Sequence, residues 1–215
     1  MTKGNPGAVV GARAGRHRAG LPPPLPASFF EPDVLSLARA LIGKVLLTSA
    51  DGGWVGVRIV ETEAYRGPED QAAHSRNGLR TARTEAMFGP PGHVYMFVVY
   101  GRHWAFNVTA GAPGEPHAVL VRAAEPTAIG GERLLATGAR RPTSGPGRLC
   151  RALGLGKAHY GLPLAPTSGV YLADGPRGEV GASRRIRVDY AGAWAEKPWR
   201  FFERGNRWVS ERPRD

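Results

Sequence analysis

Cysteine is almost missing from this chain: its 215 residues include one, Cys150. A single thiol excludes an internal disulfide framework and a metal centre built on clustered cysteines, among them the paired-cysteine zinc site of nucleobase deaminases. It fits a reducing, cytoplasmic setting. Lysine is scarce too, with only Lys3, Lys44, Lys157 and Lys197, so no amine nucleophile is available between Lys44 and Lys157. No apolar run approaches the roughly 18 residues of a membrane span. The N-terminus is too polar and too often broken by proline to supply the core of a signal peptide. The six histidines form no HExxH and no tightly spaced pair, so neither a metal nor a cofactor is expected.

Acidic residues are the third shortage. Against 29 Lys and Arg stand 18 Asp and Glu, a net charge of +11 spread along the chain. Such an excess points to a polyanionic partner or to plain solubility charge. With only four lysines, 25 of the cations are arginines, which suit bidentate phosphate contacts. What the chain does have is 42% hydrophobic residues, enough to core one domain.

Residues 1–27 are rich in Gly, Ala, Pro and Arg without periodicity, and read as a basic disordered arm ahead of one domain over 28–215. Pro32 and Asp33 open a helix with Val34, Leu37, Ala38 and Leu41 on one face and Gly43 at its left-handed end. Strand-like runs follow: KVLLTS, WVGVRIVETEAY, HVYMFVVY, WAFNV, HAVLVRA, YLAD, RRIRVDY and WRFFER. Helical pieces are expected near Thr127–Ala136 and Arg148–Leu153. The pattern predicts a single α+β domain, a mainly antiparallel curved sheet flanked by helices, with no internal repeat.

Four stretches carry chemistry. In VRIVETEAY, period two places Glu61 and Glu63 on one face together with Val57, Ile59 and Tyr65, their backbones roughly 6 to 7 Å apart. That spacing is near what a glycoside hydrolase needs for its acid and base, though two glutamates in a basic chain also pair readily with arginine. Eleven residues beyond Glu63, a polar segment brings His74, either a site residue or a structural hydrogen-bonder. In GHVYMFVVYGRHWAFNV, Tyr95, Phe97 and Val99 alternate with Met96, Val98 and Tyr100, and YGRH reads as a hairpin turn carrying an aromatic beside arginine. Such an aromatic is core trim or a wedge for a base stack. PTSGPGRLCRALGLG is a Gly/Pro loop running into a helix with Arg148 and Arg151, a weak phosphate-site signal and not a Walker motif.

In this order, the stretches resemble the alkyladenine (3-methyladenine) DNA glycosylase family. The likeness runs from LARALIGK through VETEAYRGPEDQAAHS, MFGPPGHVYMFVVYG, FNV, VLVRAAEP and SGPGRLCRALG to AGAW, KPWRF and WVS, covering about 185 residues, all but the arm. The resemblance implies a protruding β-hairpin and a pocket for a base extruded from duplex DNA. It implies that Glu63 is the general base activating the water that attacks C1′, and that Arg122 holds the neighbouring phosphate and that water. Tyr65 and Phe97 would stack on the extruded base, His74 would hydrogen-bond its edge, Asn107 would crowd the amine of normal guanine, and Ala72 and Ile186 would complete the pocket. Tyr100 would enter the minor groove, and Arg102 and Arg148 would contact phosphates. Phe97 stands where the family often has tyrosine, and Arg187 where it implies glycine, which sets a bulky cation at the pocket rim. Glu61 has no catalytic counterpart and reads as structural.

The implied protein is a soluble, monomeric, nucleoid-associated enzyme that acts on double-stranded DNA with damaged purines and uses no cofactor. Alkylation makes the base a good leaving group, so little acid catalysis is needed, whereas hypoxanthine would need a proton from an acid that the sequence does not name. Without a central lysine it would leave an intact abasic site. Two other classes compete: a non-catalytic protein that binds and bends duplex DNA on the same fold, and a glycan hydrolase using Glu61 and Glu63 together.

Overall fold

A computed structural model describes residues 20–50 and 53–211. The first helix forms as its sequence dictates. The Asp33 carboxylate accepts hydrogen bonds from the backbone N of Leu35 (3.0 Å) and Ser36 (3.3 Å), capping α1, Val34–Ala40. Val34, Leu37, Ala38 and Leu41 are fully buried, and Gly43 has φ +91 where its carbon would meet the Pro176 carbonyl at 2.7 Å if it bore a side chain.

Eight strands follow: β1 Val45–Ala50, β2 Gly53–Arg66, β3 Val94–Val99, β4 His103–Ala110, β5 His117–Pro126, β6 Val170–Ala173, β7 Val180–Ser183 and β8 Arg200–Glu203. They make one antiparallel sheet in the order β3-β4-β5-β2-β1-β6, with β8 joining β2 and β7. Short helices α2, Gly131–Leu135, and α3, Pro146–Leu153, complete the α+β fold. The main core lies where α1 and α3 meet the sheet, around Leu37, Leu41, Ile59, Phe106, Leu149 and Leu172.

The strand β2 departs from simple alternation, and the departure makes the site. Its pairing with β5 shifts register between Ile59, Glu61 and Thr62, a β-bulge. Val57 and Ile59 belong to the main core; Val60 packs instead with Ala123 and Trp208. Beyond the bulge the core side is taken by Thr62, whose hydroxyl donates to the Ala38 carbonyl of α1, and by Ala64. Glu61, Glu63 and Tyr65 thus share the opposite face from Val57 and Ile59, which corrects the period-two expectation for the two aliphatics. Without the extra residue both carboxylates would point at α1.

Two further expectations are revised. RRIRVDY forms turns rather than a strand: the Arg185 guanidinium is drawn onto Asp70 (2.5 and 2.9 Å) and the carbonyls of Ala64 and Trp194, and Arg187 sits at φ +59. The strand there is β7 just before it, whose Gly181 packs under Phe202 and hides the signal. Of the expected arm, residues 1–19 lie outside the described residues, while Leu25 N donates to the Leu172 carbonyl (2.8 Å) and the Tyr171 hydroxyl to Pro22 (3.1 Å), covering the β6 edge.

The hairpin β3–β4 turns where expected. Tyr100 (φ +51) and Gly101 (φ +66) are both left-handed, as the twist of a tight hairpin requires, and Arg102 N closes the turn on the Val99 carbonyl at 3.2 Å. Tyr100, 72% exposed, crowns it.

Candidate active site

The carboxylate of Glu63 is fixed by three elements. Its backbone lies between Leu120 of β5 and Arg200 of β8. One carboxylate oxygen, Oε2, accepts from the Tyr65 hydroxyl at 2.8 Å and from Arg122 Nη1 at 3.3 Å; the other, Oε1, accepts from the Ile186 backbone N at 2.7 Å. Glu63 is itself fully buried. Burial, then the neighbouring Glu63 charge, pushes the Tyr65 hydroxyl well above its usual range, so it stays a donor. For Arg122, burial opposes the charge, but Glu63 and Glu61 outweigh it and raise its pKa.

Glu61, also fully buried, collects Arg122 Nε (3.1 Å), Arg200 Nε (2.7 Å), and the backbone N (2.6 Å) and hydroxyl (3.0 Å) of Ser210. Three of these donors converge on Oε1 and the fourth is on Oε2, so both oxygens are engaged by the protein and Glu61 does not border the cavity described below. The acid-and-base pair of a glycan hydrolase is therefore not what these two glutamates form.

Tyr65, Arg122 and Ile186, the three residues that hold Glu63, also line a cavity of about 680 Å³. Ala72, His74, Phe97, Asn107, Tyr100 and Arg148 border it as well, so the cavity gathers every expected site residue except Glu63, which lies behind its wall, and Arg102, exposed on the hairpin tip. Arg187 stands at the rim, exposed. His74 Nδ1 is 2.8 Å from the Tyr95 hydroxyl, and its ring meets Phe97 edge-on at 4.5 Å. Burial, followed by the charges of Arg83 and Arg76, lowers His74 to about 4, so the imidazole is neutral at physiological pH. Asn107, 2% exposed, donates Nδ2 to the Tyr95 carbonyl at 3.0 Å, which fixes its amide.

Both stacking candidates carry a guanidinium that does not border the cavity: Arg185 lies 4.8 Å from the Tyr65 ring centre and Arg83 5.4 Å from that of Phe97. These cations brace the rings from outside. Sequence reasoning passed over several lining residues. Tyr95 was findable, since it shares period-two phase with Phe97; Met87, Tyr190 and Ser210 arrive from turns and from the far end of the chain, with no local signal. Among the described residues, no group of three or more His, Cys, Asp or Glu side chains is placed to hold a metal ion, and no helix is long and apolar enough to cross a membrane.

Fold and site together set a buried, hydrogen-bonded glutamate behind an aromatic cavity rimmed with arginine. The family model for methylpurine-DNA glycosylase matches residues 28–207, and the chain belongs to that family of DNA glycosylases. Relatives bearing the name "Putative 3-methyladenine DNA glycosylase" include one from Anaeromyxobacter dehalogenans, 45% identical over 88% of this chain and 86% of its own. Those from Myxococcus xanthus (46%, over 88% and 94%) and Bacillus cereus (42%, over 87% and 98%) are similar along nearly their whole length.

Proposed function

We propose that this protein excises alkylated purines, 3-methyladenine among them, from double-stranded DNA by hydrolysing the N-glycosidic bond. The observation that carries this reading is the Glu63 carboxylate, held by three donors that are themselves the wall of an aromatic cavity. The cavity volume is ordinary for a small-molecule site and accommodates one extruded nucleotide.

Of the about four acceptor positions of a carboxylate, three are taken, and the reaction requires the fourth, on Oε1, to meet a water through the wall that Tyr65, Arg122 and Ile186 form. The C1′–N bond breaks with its electron pair leaving on the base, the water oxygen bonds C1′, and Glu63 receives the water's proton. Its negative charge also stabilises the oxocarbenium-like sugar. Arg122 orients the carboxylate and meets the adjoining phosphate. Tyr65 and Phe97 sandwich the base, while Tyr100 fills the gap in the duplex.

The titration state of the pocket bears on substrate. His74 at about 4 and Tyr65 far above 10 are both poor proton sources at neutral pH, so bases that are already cationic should leave much faster than hypoxanthine. No lysine borders the cavity, which supports release of the base without strand cleavage.

The test is single-turnover release of free base from methylated duplex DNA. Glu63→Gln, which keeps shape but loses the basic group, is expected to cut the rate by about a thousandfold or more while DNA binding persists. Tight binding without release by the wild-type protein would instead identify a DNA-binding protein on this fold.

A further inference from the structure

Glu61 sits two residues from Glu63 and, like it, lies outside the lining of the cavity, and the proposed chemistry makes no use of it. Its surroundings give it a task. Arg122 is shared between the two carboxylates, Nε on Glu61 at 3.1 Å and Nη1 on Glu63 at 3.3 Å, so the Glu61 contact fixes where the guanidinium meets Glu63. On its other side Glu61 grips Ser210 through two hydrogen bonds, and Arg200, its second cation, also donates to the Glu211 carbonyl. Ser210 and Glu211 are part of the cavity wall. One buried carboxylate thus ties together β2, β5, β8 and the segment that follows β8.

Resting on the glycosylase reading above, we infer that Glu61 is a positioning residue for the reaction: through Arg122 Nε it fixes where Nη1 meets Glu63. A charge-assisted hydrogen bond to a buried carboxylate holds a guanidinium more firmly than a neutral amide does. With Glu61 neutral, Arg122 loses that anchor and its contact with Glu63 is no longer fixed in direction.

Glu61→Gln preserves the side chain's shape and removes its charge. In single-turnover base release it is expected to lower the maximal rate by about tenfold or more, with DNA affinity within about twofold of wild type, a split that a general loss of structure does not give. The second arm is a cycle with Arg122→Gln. If Glu61 acts through Arg122, adding Glu61→Gln to Arg122→Gln changes the rate by less than about twofold. Glu61→Asp keeps the buried charge for Arg122 and Arg200 but draws it back by one methylene, so it serves where Glu61→Gln does not fold, and it is expected to lower the maximal rate in the wild-type background but not in Arg122→Gln.

A wild-type rate in Glu61→Gln would overturn the inference, as would an equal rate loss in the wild-type and Arg122→Gln backgrounds, which marks a carboxylate that does not act through Arg122. Wild-type and Glu63→Gln proteins run alongside keep the two readings apart. No base release by the wild type defeats the glycosylase reading, whereas release by wild type and by Glu61→Gln alike, but not by Glu63→Gln, defeats only the role given to Glu61.

Discussion

At the scale of single residues, electrostatics sorts the site. Cys150 is buried and its thiol is pushed up to about 12 by desolvation, so it is inert packing rather than a nucleophile. His74 has a different consequence. Its folded-state pKa of about 4 lies below the ordinary 6.5, because burial and two arginines disfavour the imidazolium. Between those values the unfolded chain takes up a proton that the folded one refuses. The contribution of neutral His74 is therefore complete above about pH 6.5 and is lost as pH falls towards 4. Denaturation curves of wild type and His74→Gln should diverge across that window, by on the order of 2 kcal/mol, since the ring is not fully enclosed and part of the shift is screened. Parallel curves would mean that His74 is protonated as readily in the fold as outside it.

At the scale of elements, the β2 bulge and the β3–β4 hairpin set function apart from core. The bulge lets one strand hold α1 with Val57 and Ile59, then set Tyr65 in the cavity wall and Glu63 just behind it. The hairpin carries its apex tyrosine in the left-handed region, a conformation that costs a residue other than glycine about 1 kcal/mol. An exposed side chain kept at that cost points to use rather than packing. Tyr100→Gly should therefore raise thermal stability slightly, by about 1 kcal/mol, while base extrusion, followed with a fluorescent reporter base, declines. Extrusion unchanged in this variant would remove the proposed wedge.

At the scale of the whole molecule, the charge excess is distributed unevenly. Many arginines are matched: Arg58 to Glu125 and Glu203, Arg185 to Asp70, Arg200 to Glu61. Around the cavity mouth and the adjoining hairpin tip, Arg102, Arg148, Arg151 and Arg187 have no carboxylate partner among the described residues. If those four meet phosphates, duplex affinity should fall by about a hundredfold between about 50 and 200 mM salt, and each arginine replaced by alanine should reduce the log–log slope by about 0.9. A flat salt response would show that this cationic face does not contact the DNA backbone.

The sequence by itself determined the secondary structure where local pattern and burial agree: α1 with its Asp33 cap and Gly43 end, seven of the eight strands, and the Tyr100–Gly101 turn. It also carried the family resemblance, because ETEAY and the following GPEDQAAHS are contiguous text. It misplaced β7 because an arginine's long-range partner, Asp70, decides the backbone of residues 184–190. The tertiary structure alone decided which way Glu61 and Glu63 face, since a bulge is one unpaired residue that is visible only in the register with β5. It alone brought Arg122, Ile186 and Ser210 to the two glutamates. Those contacts join residues dozens to more than a hundred positions apart, and their geometry is fixed by packing between strands, which no local pattern encodes.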